Sequence, residues 1–402
     1  MTGTPTERAS GVRPLEGITV VDLTQVLAGP FATMNLGDLG AEVIKIEAVG
    51  RGDRARGFGP VPEYYDTVNR NKRSVELDLK TERGQRVALD LLAEADVFVQ
   101  STKPGRIEEF GLDYASVREV NPDVVYCTIT GFGEGSPYED VPAWDMLVQA
   151  MSGIMSMTGT DETPPLWSGL ASGDLAAGTY ASQSVLAALY ARERGDIDSE
   201  WIEVPMLDAA ISWLSVRAGH TFGTGEPFPS LGTTHPSIAP FGVFECRDEA
   251  VVIAAGTPSL WREFCTALDR EELLSDDRFD SIEARVENRG AMRAELAETL
   301  DSRSAGELVS TLQAAGVPAG PIHDTESVWA DPHVRERGLR RRMAREGRPD
   351  AEVIDHPVHF SAVVPTLDRA PEALGESTED VLAAHGYDED EIEALREDDV
   401  IG

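Results

Sequence analysis

The chain has 402 residues, and its 71 acidic side chains against 35 basic ones give a formal net charge of -36. A surface this negative excludes nucleic acid or an anionic membrane as the main partner. The hydrophobic share of 41% and charged share of 26% are those of a folded protein, and the length allows more than one domain.

In chain order, residues 1–14 form a polar tail without the apolar stretch of a secretory signal. GITVVDL (17–23) is expected to be a buried strand, TQVLAGP a loop, and FATMNLGDLG (31–40) a helix closed by Gly40. AEVIKIE (41–47) is the next strand. The alternation continues with a helix opened by Thr81 over residues 81–95, a strand DVFVQ (96–100), a short helix DYASVREV (113–120) and a strand DVVYCTI (123–129). Strands alternating with helices imply an α/β fold whose parallel sheet is covered on both faces. Helices follow over 143–159 and 174–194, then a strand and a helix over 201–219. Residues 221–235 carry the Gly, Pro, Ser and Thr of a linker. A β-hairpin over 241–255 turning at 247–249, and helices to about 316, mark a smaller α+β domain. The domains expected are 1–220, 221–325 and a C-terminal return over 326–402, the last ending in a polar helical hairpin. No apolar run approaches membrane-spanning length. Cys127, Cys246 and Cys265 are too scattered for a metal site or disulfide framework, so a reducing, cytoplasmic setting is expected.

Only four basic residues are lysine, Lys45, Lys72, Lys80 and Lys103. Acid excess with scarce lysine suits a protein kept dispersed in concentrated salt, where the Debye length falls to about 3 Å. Against that background the window from Lys45 to Arg73 is net positive: Lys45, Arg51, Arg54, Arg56, Arg70, Lys72 and Arg73 face Glu47, Asp53, Glu63 and Asp66. Two readings compete: a site for a compact phosphate group, or ion pairs with neighbouring acids.

The loop after the first strand lacks the glycine fingerprint of a nicotinamide site, and there is no phosphate-binding lysine loop. The glycines at 131, 133 and 135 suit a turn, and the histidines, His356 and His359 included, have no metal-ligand spacing. Asp174, in SGLASGDLAAG, stands at the start of an apolar helix beside Gly169, Ser172, Gly173 and Gly178. It is either an ordinary first-turn aspartate or a carboxylate nucleophile whose small neighbours admit an acyl group.

PLEGITVVDLTQVLAGPFAT, DLGAEVIKIE, NRNKRSVELDLKT, ADVFVQSTKPG, NPDVVYCTITGFGEGSPY, WDMLVQAMSGIMSMTG, SGLASGDLAAG, LGTTHPSIAPFGVFECRD and LGESTEDVLAAHGY occur in this order. Together they resemble the family III CoA-transferases, a family that includes acyl-CoA racemases, over about residues 14–400. The resemblance implies a Rossmann-like large domain, an inserted smaller domain, and two subunits interlocked as a homodimer. It implies that Asp174 is the nucleophile, acting through an aspartyl anhydride and an aspartyl-CoA thioester. Coenzyme A enters as the acyl-CoA substrate, with no metal and no nicotinamide. The family's coenzyme A contacts fall near Val26, Leu27, Ala28, Leu77, Lys80, Ser101, Thr102 and Lys103. Oxalate-handling members carry an arginine after KIE, an asparagine–phenylalanine pair and a later arginine; here those positions are Ala48, Ser101–Thr102 and Glu109. Phosphate contacts are therefore expected from Arg51, Lys103 or Arg106, and the acids expected as substrates are small dicarboxylates, with succinyl-CoA as donor and an acceptor such as mesaconate. The alternative is an acyl-CoA racemase, but the histidine such members place before the aspartate of the WDMLVQ motif is Trp144 here.

Overall fold

A computed structural model describes residues 11–58 and 63–402, with the side chain of Glu63 outside the description. The chain forms two compact units. One comprises residues up to 155, 167–226 and 334–402; the other comprises 156–166 and 227–333.

The larger unit is built on six parallel strands: β1 (Thr19–Leu23), β2 (Glu42–Glu47), β3 (Lys72–Glu76), β4 (Val97–Gln100), β5 (Val125–Thr130) and β6 (Glu200–Pro205). Their spatial order is β3-β2-β1-β4-β5-β6. The period-two alternation divides the central strands β1, β2, β4 and β5 between two apolar clusters. Val20, Val43, Val97 and Val125 point to one face, where they meet the helices Ala28–Asp38 and Ser172–Glu193. Val21, Ile44, Phe98 and Tyr126 point to the other, against the helix Glu82–Ala93. Thr81 caps that helix, its side chain accepting from the Gly84 N–H. The C-terminal helices Thr378–Ala384 and Glu389–Glu397 add Val381, Leu382, Ile392 and Leu395 to the second cluster. Burial on both faces explains why the central strands β1, β2, β4 and β5 are short, largely apolar runs rather than alternating ones.

The order of strands decides where a ligand fits. Connections run outward from β1 to β2 and β3 on one side, and from β4 to β5 and β6 on the other. The loops after β1 and β4 therefore diverge at the carboxyl edge, and such a switch point opens a crevice.

Two expectations are revised. The helix expected over 143–159 is shorter, Asp145–Ser152, because Gly153 turns into the left-handed region at φ 91°. The first helix begins at Ala28, three residues before its expected start.

The other unit contains an antiparallel sheet of β7 (Phe241–Phe244), β8 (Val251–Ala254) and β9 (Ala319–Pro321). Helices Pro258–Ala267, Arg289–Asp301 and Ala305–Ala314 supply its core with Phe264, Leu296 and Leu308. Arg285, 1% exposed, ties this core together by donating to the carbonyls of Ala239, Phe279 and Gly256. A further hairpin, β10 (Arg340–Met343) with β11 (Ala351–Ile354), belongs to the larger unit. Among the described residues no helix is long and apolar enough to cross a membrane.

Candidate active site

A cleft of about 360 Å³ opens at the carboxyl edge of β1, β4 and β5. Val26, Ala28, Ser101, Thr102 and Lys103 line it together with Asp174. The loop after β1 and the loop after β4 supply one wall each, and the head of the helix Ser172–Glu193 supplies the carboxylate. Leu27 sits within the first of these loops and precedes the helix Ala28–Asp38 as its cap residue.

Five expected contacts do not line this cleft: Leu27, Leu77, Lys80, Arg106 and Arg51. The Leu77 side chain is 1% exposed and packs in the apolar cluster beside Val75. Lys80 is exposed in the turn before the helix Glu82–Ala93. Arg106 pairs with Glu109 and lies 4.6 Å over the Phe110 ring. Arg51 is exposed in the turn after β2. Arg54 was not singled out by the sequence reading, yet it lines the cleft and donates to Gln25 Oε1 at 2.9 Å. Its sequence signal was only membership of the basic window.

Most of that window serves the interior, so its ion-pair reading prevails. Lys45 and Lys72 are 0% and 1% exposed. Lys72 Nζ lies 3.0 Å from Asp22 Oδ2 and Lys45 Nζ lies 3.1 Å from Asp53 Oδ2. Arg56 pairs with Glu47 at 2.6 Å, Arg70 with Asp38 at 2.5 Å and Arg73 with Glu42 at 2.9 Å. Burial alone would raise the Asp22 carboxyl, but the two ammonium groups and the Thr24 and Thr33 hydroxyls hold it well below the usual carboxylate range. Burial opposes ionisation of Glu47 too, and Arg56 and Lys45 outweigh it, bringing the carboxyl down to about 2.

Asp174 has the opposite environment. It stands in the first turn of a 22-residue helix, where free N–H groups favour an anion. Burial, followed by the negative charge of Asp145, nevertheless pushes its carboxyl up to about 7, against a backbone hydrogen bond from Ala28. Asp145 is itself fixed: Oδ1 accepts from the Gly173 N–H at 2.8 Å, and Oδ2 accepts from Gln149 Nε2 at 2.6 Å and Trp167 Nε1 at 3.1 Å. Its carboxylate thus caps the helix that carries Asp174. Tyr64 also bears on the pair, since burial and the charges of Asp174 and Asp145 raise its hydroxyl above the ordinary value.

Two of the three glycines beside Asp174, Gly173 and Gly178, have a different role from the one expected, whereas a Cβ at Gly169 would meet nothing within 4 Å. A Cβ at Gly178 would lie 2.5 Å from the Ala28 carbonyl oxygen, and one at Gly173 would lie 2.8 Å from Val148 Cγ1. Their missing side chains let protein elements close on the helix and bring Ala28 to Asp174, rather than leaving room for an acyl group.

This arrangement, a carboxylate poised near neutrality in a cleft between the two switch-point loops, suits attack on an activated carbonyl and return of the carboxylate. The sequence profile of CoA-transferase family III matches residues 15–378. The chain belongs to CoA-transferase family III and is a CoA-transferase, an enzyme whose substrates are CoA thioesters. It is 35% identical over 387 residues to the human succinyl-CoA:glutarate CoA-transferase, covering 95% of this chain and 88% of that protein. It is 34% identical over 389 residues to the succinyl-CoA:mesaconate CoA-transferase of Haloarcula marismortui, covering 93% and 97%. A crystal structure of a CAIB/BAIF family protein from Brucella suis superposes with a TM-score of 0.84 at 35% identity, covering 92% of this chain and 99% of that one.

Proposed function

We propose that the enzyme moves CoA from succinyl-CoA to a small dicarboxylic acid of the glutarate or mesaconate type, with Asp174 as nucleophile. The observation that carries this reading is the single cleft shared by Asp174 and both switch-point loops. The relatives that act on succinyl-CoA with glutarate or mesaconate support the substrate class.

In the proposed cycle, the ionised Asp174 carboxylate attacks the thioester carbonyl and expels CoA thiolate, leaving a mixed anhydride. The thiolate then attacks the Asp174 carbonyl, so the donor acid departs and an aspartyl-CoA thioester remains. The acceptor carboxylate attacks that thioester to form a second anhydride and free the thiolate again. Attack of the thiolate on the acceptor's carbonyl yields the new thioester and restores Asp174. Each intermediate preserves the activation of the carbonyl, so no other energy source is required. The Ala28 N–H would steady the carboxylate when it leaves. Lys103 and Arg54, at the cleft, are the side chains we assign to the CoA phosphates, with Ser101 and Thr102 beside them.

We further take the larger unit as the CoA-binding domain and the smaller as an insertion, in an interlocked homodimer in the cytoplasm. The acid excess fits work in concentrated salt, as in a haloarchaeal cell. The test is a panel of mono- and dicarboxylic acids offered with succinyl-CoA in high salt. Transfer to C4–C5 dicarboxylates ahead of monocarboxylates is expected. Exchange of a substrate α-proton with deuterated solvent, without transfer to any acid, would favour racemisation instead.

A further inference from the structure

The loop between β1 and the helix Ala28–Asp38 is held from the interior at successive points. Asp22 Oδ1 accepts from the Thr24 N–H at 2.9 Å and from its hydroxyl at 2.5 Å. Lys45 Nζ donates to the Thr24 carbonyl at 2.8 Å. The Val26 N–H then donates to both oxygens of Asp53, at 3.0 and 3.3 Å. Asp53 is 2% exposed and is not part of the cleft wall. It is anchored by Lys45 at 3.1 Å, by its own N–H donating to Glu47 Oε2 at 2.8 Å, and by the Ala55 N–H donating to Oδ1 at 2.9 Å.

What this anchor holds is unusual. Val26 has φ 70°, a left-handed conformation that a β-branched residue rarely adopts. Two residues later, Ala28 lines the same cleft as Asp174, its backbone amide favours the ionised carboxylate, and the Ala28 carbonyl packs into the space Gly178 leaves. If Val26 relaxed to negative φ, the chain would leave the loop in another direction and Ala28 would lose its placement.

We propose that Asp53 is a positioning residue for the transfer reaction: its carboxylate clamps Val26 in the left-handed conformation and so places Ala28 against Asp174. This rests on Asp174 being the nucleophile. An aspartate suits the task because one carboxylate serves the Val26 and Ala55 amides while balancing the buried Lys45. Glycine at position 26 would adopt positive φ with no side chain to oppose it, and would weaken the need for the clamp.

The test compares wild type, Asp53→Ala, Val26→Gly and the double variant, reading kcat, KM for succinyl-CoA and the pH midpoint of kcat. Asp145 and Tyr64 are the titratable groups coupled to Asp174, and Arg54 lines the same cleft. All are retained. Asp53→Ala is expected to lower kcat on the order of 100-fold, with a smaller change in KM. Its pH midpoint should move up, because Asp174 loses the Ala28 donor that favours the anion. Adding Val26→Gly should recover about tenfold of that rate and return the midpoint toward wild type. An Asp53→Ala enzyme with wild-type kcat and midpoint, or a folded double variant no faster than Asp53→Ala, would overturn the proposal. Should Asp53→Ala fail to fold, Asp53→Asn with and without Val26→Gly makes the same comparison. A wild type that forms no CoA adduct on Asp174 would instead remove the functional reading beneath it.

Discussion

Asp22 and Asp174 lie in the same unit, each largely removed from water, and their carboxyls are driven in opposite directions. Asp22 is flanked by Lys45 and Lys72 and stays ionised well below the ordinary range. Asp174 is flanked by Asp145 and is pushed up to about 7. Burial is the largest influence on both, so the sign is decided by the neighbours. One arrangement fixes a loop; the other leaves a carboxylate that can gain and lose its charge near neutrality.

The most severe way to break the contrast is Asp174→Asn, expected to reduce transfer on the order of 10,000-fold or more. The same change should stabilise the fold at pH 8. A carboxyl raised from 3.8 to about 7 favours folding while protonated, and that contribution is lost as pH rises from the unfolded value through the folded one. Removing it should add roughly 2–4 kcal/mol at pH 8 and little at pH 4, as read by urea denaturation at each pH.

Lys72→Met attacks the other carboxylate. It leaves Asp22 with Lys45 at 3.9 Å as its remaining ammonium partner and should cost about 3–5 kcal/mol of stability in the same experiment. The Glu47 carboxyl, held down to about 2, adds an acid limit: its contribution is present above about 4.5 and is lost as pH falls toward 2.

Asp145→Asn sharpens the comparison without deleting Asp174, the residue we propose as nucleophile. Asparagine can still accept from the Gly173 N–H but carries no charge, so the pH midpoint of transfer should fall below about 7, as measured by initial rates across pH. The smallest effect is expected from Lys103→Ala. Lys103 is exposed, and its loss should raise the KM for succinyl-CoA about threefold with kcat nearly unchanged.

The sheet was legible because burial on both faces leaves short β-branched runs, as in Thr19–Leu23 and Val97–Gln100. β3 was not identified as a strand, because KRSVE resembles an exposed segment until Lys72 finds Asp22 across the sheet. Asp174 was visible from its glycine-rich setting and the family motif, but the part those glycines play was not. Only the approach of Ala28 and Val148 shows that the space at Gly178 and Gly173 is filled by protein. Charge counting located the basic window and could not say which way it faced. Lys45 and Lys72 point inward, whereas Arg54, between them in sequence, lines the cleft. Asp53 stood out only as one acid of that window, since the role we propose for it depends on a backbone torsion at Val26.

The most direct measurement is the mass of the peptide containing Asp174 after incubation with succinyl-CoA and no acceptor acid. A CoA-mass adduct on that peptide, discharged by hydroxylamine and missing from Asp174→Asn, is the predicted result. An unmodified Asp174 peptide in enzyme that still transfers CoA would contradict the account.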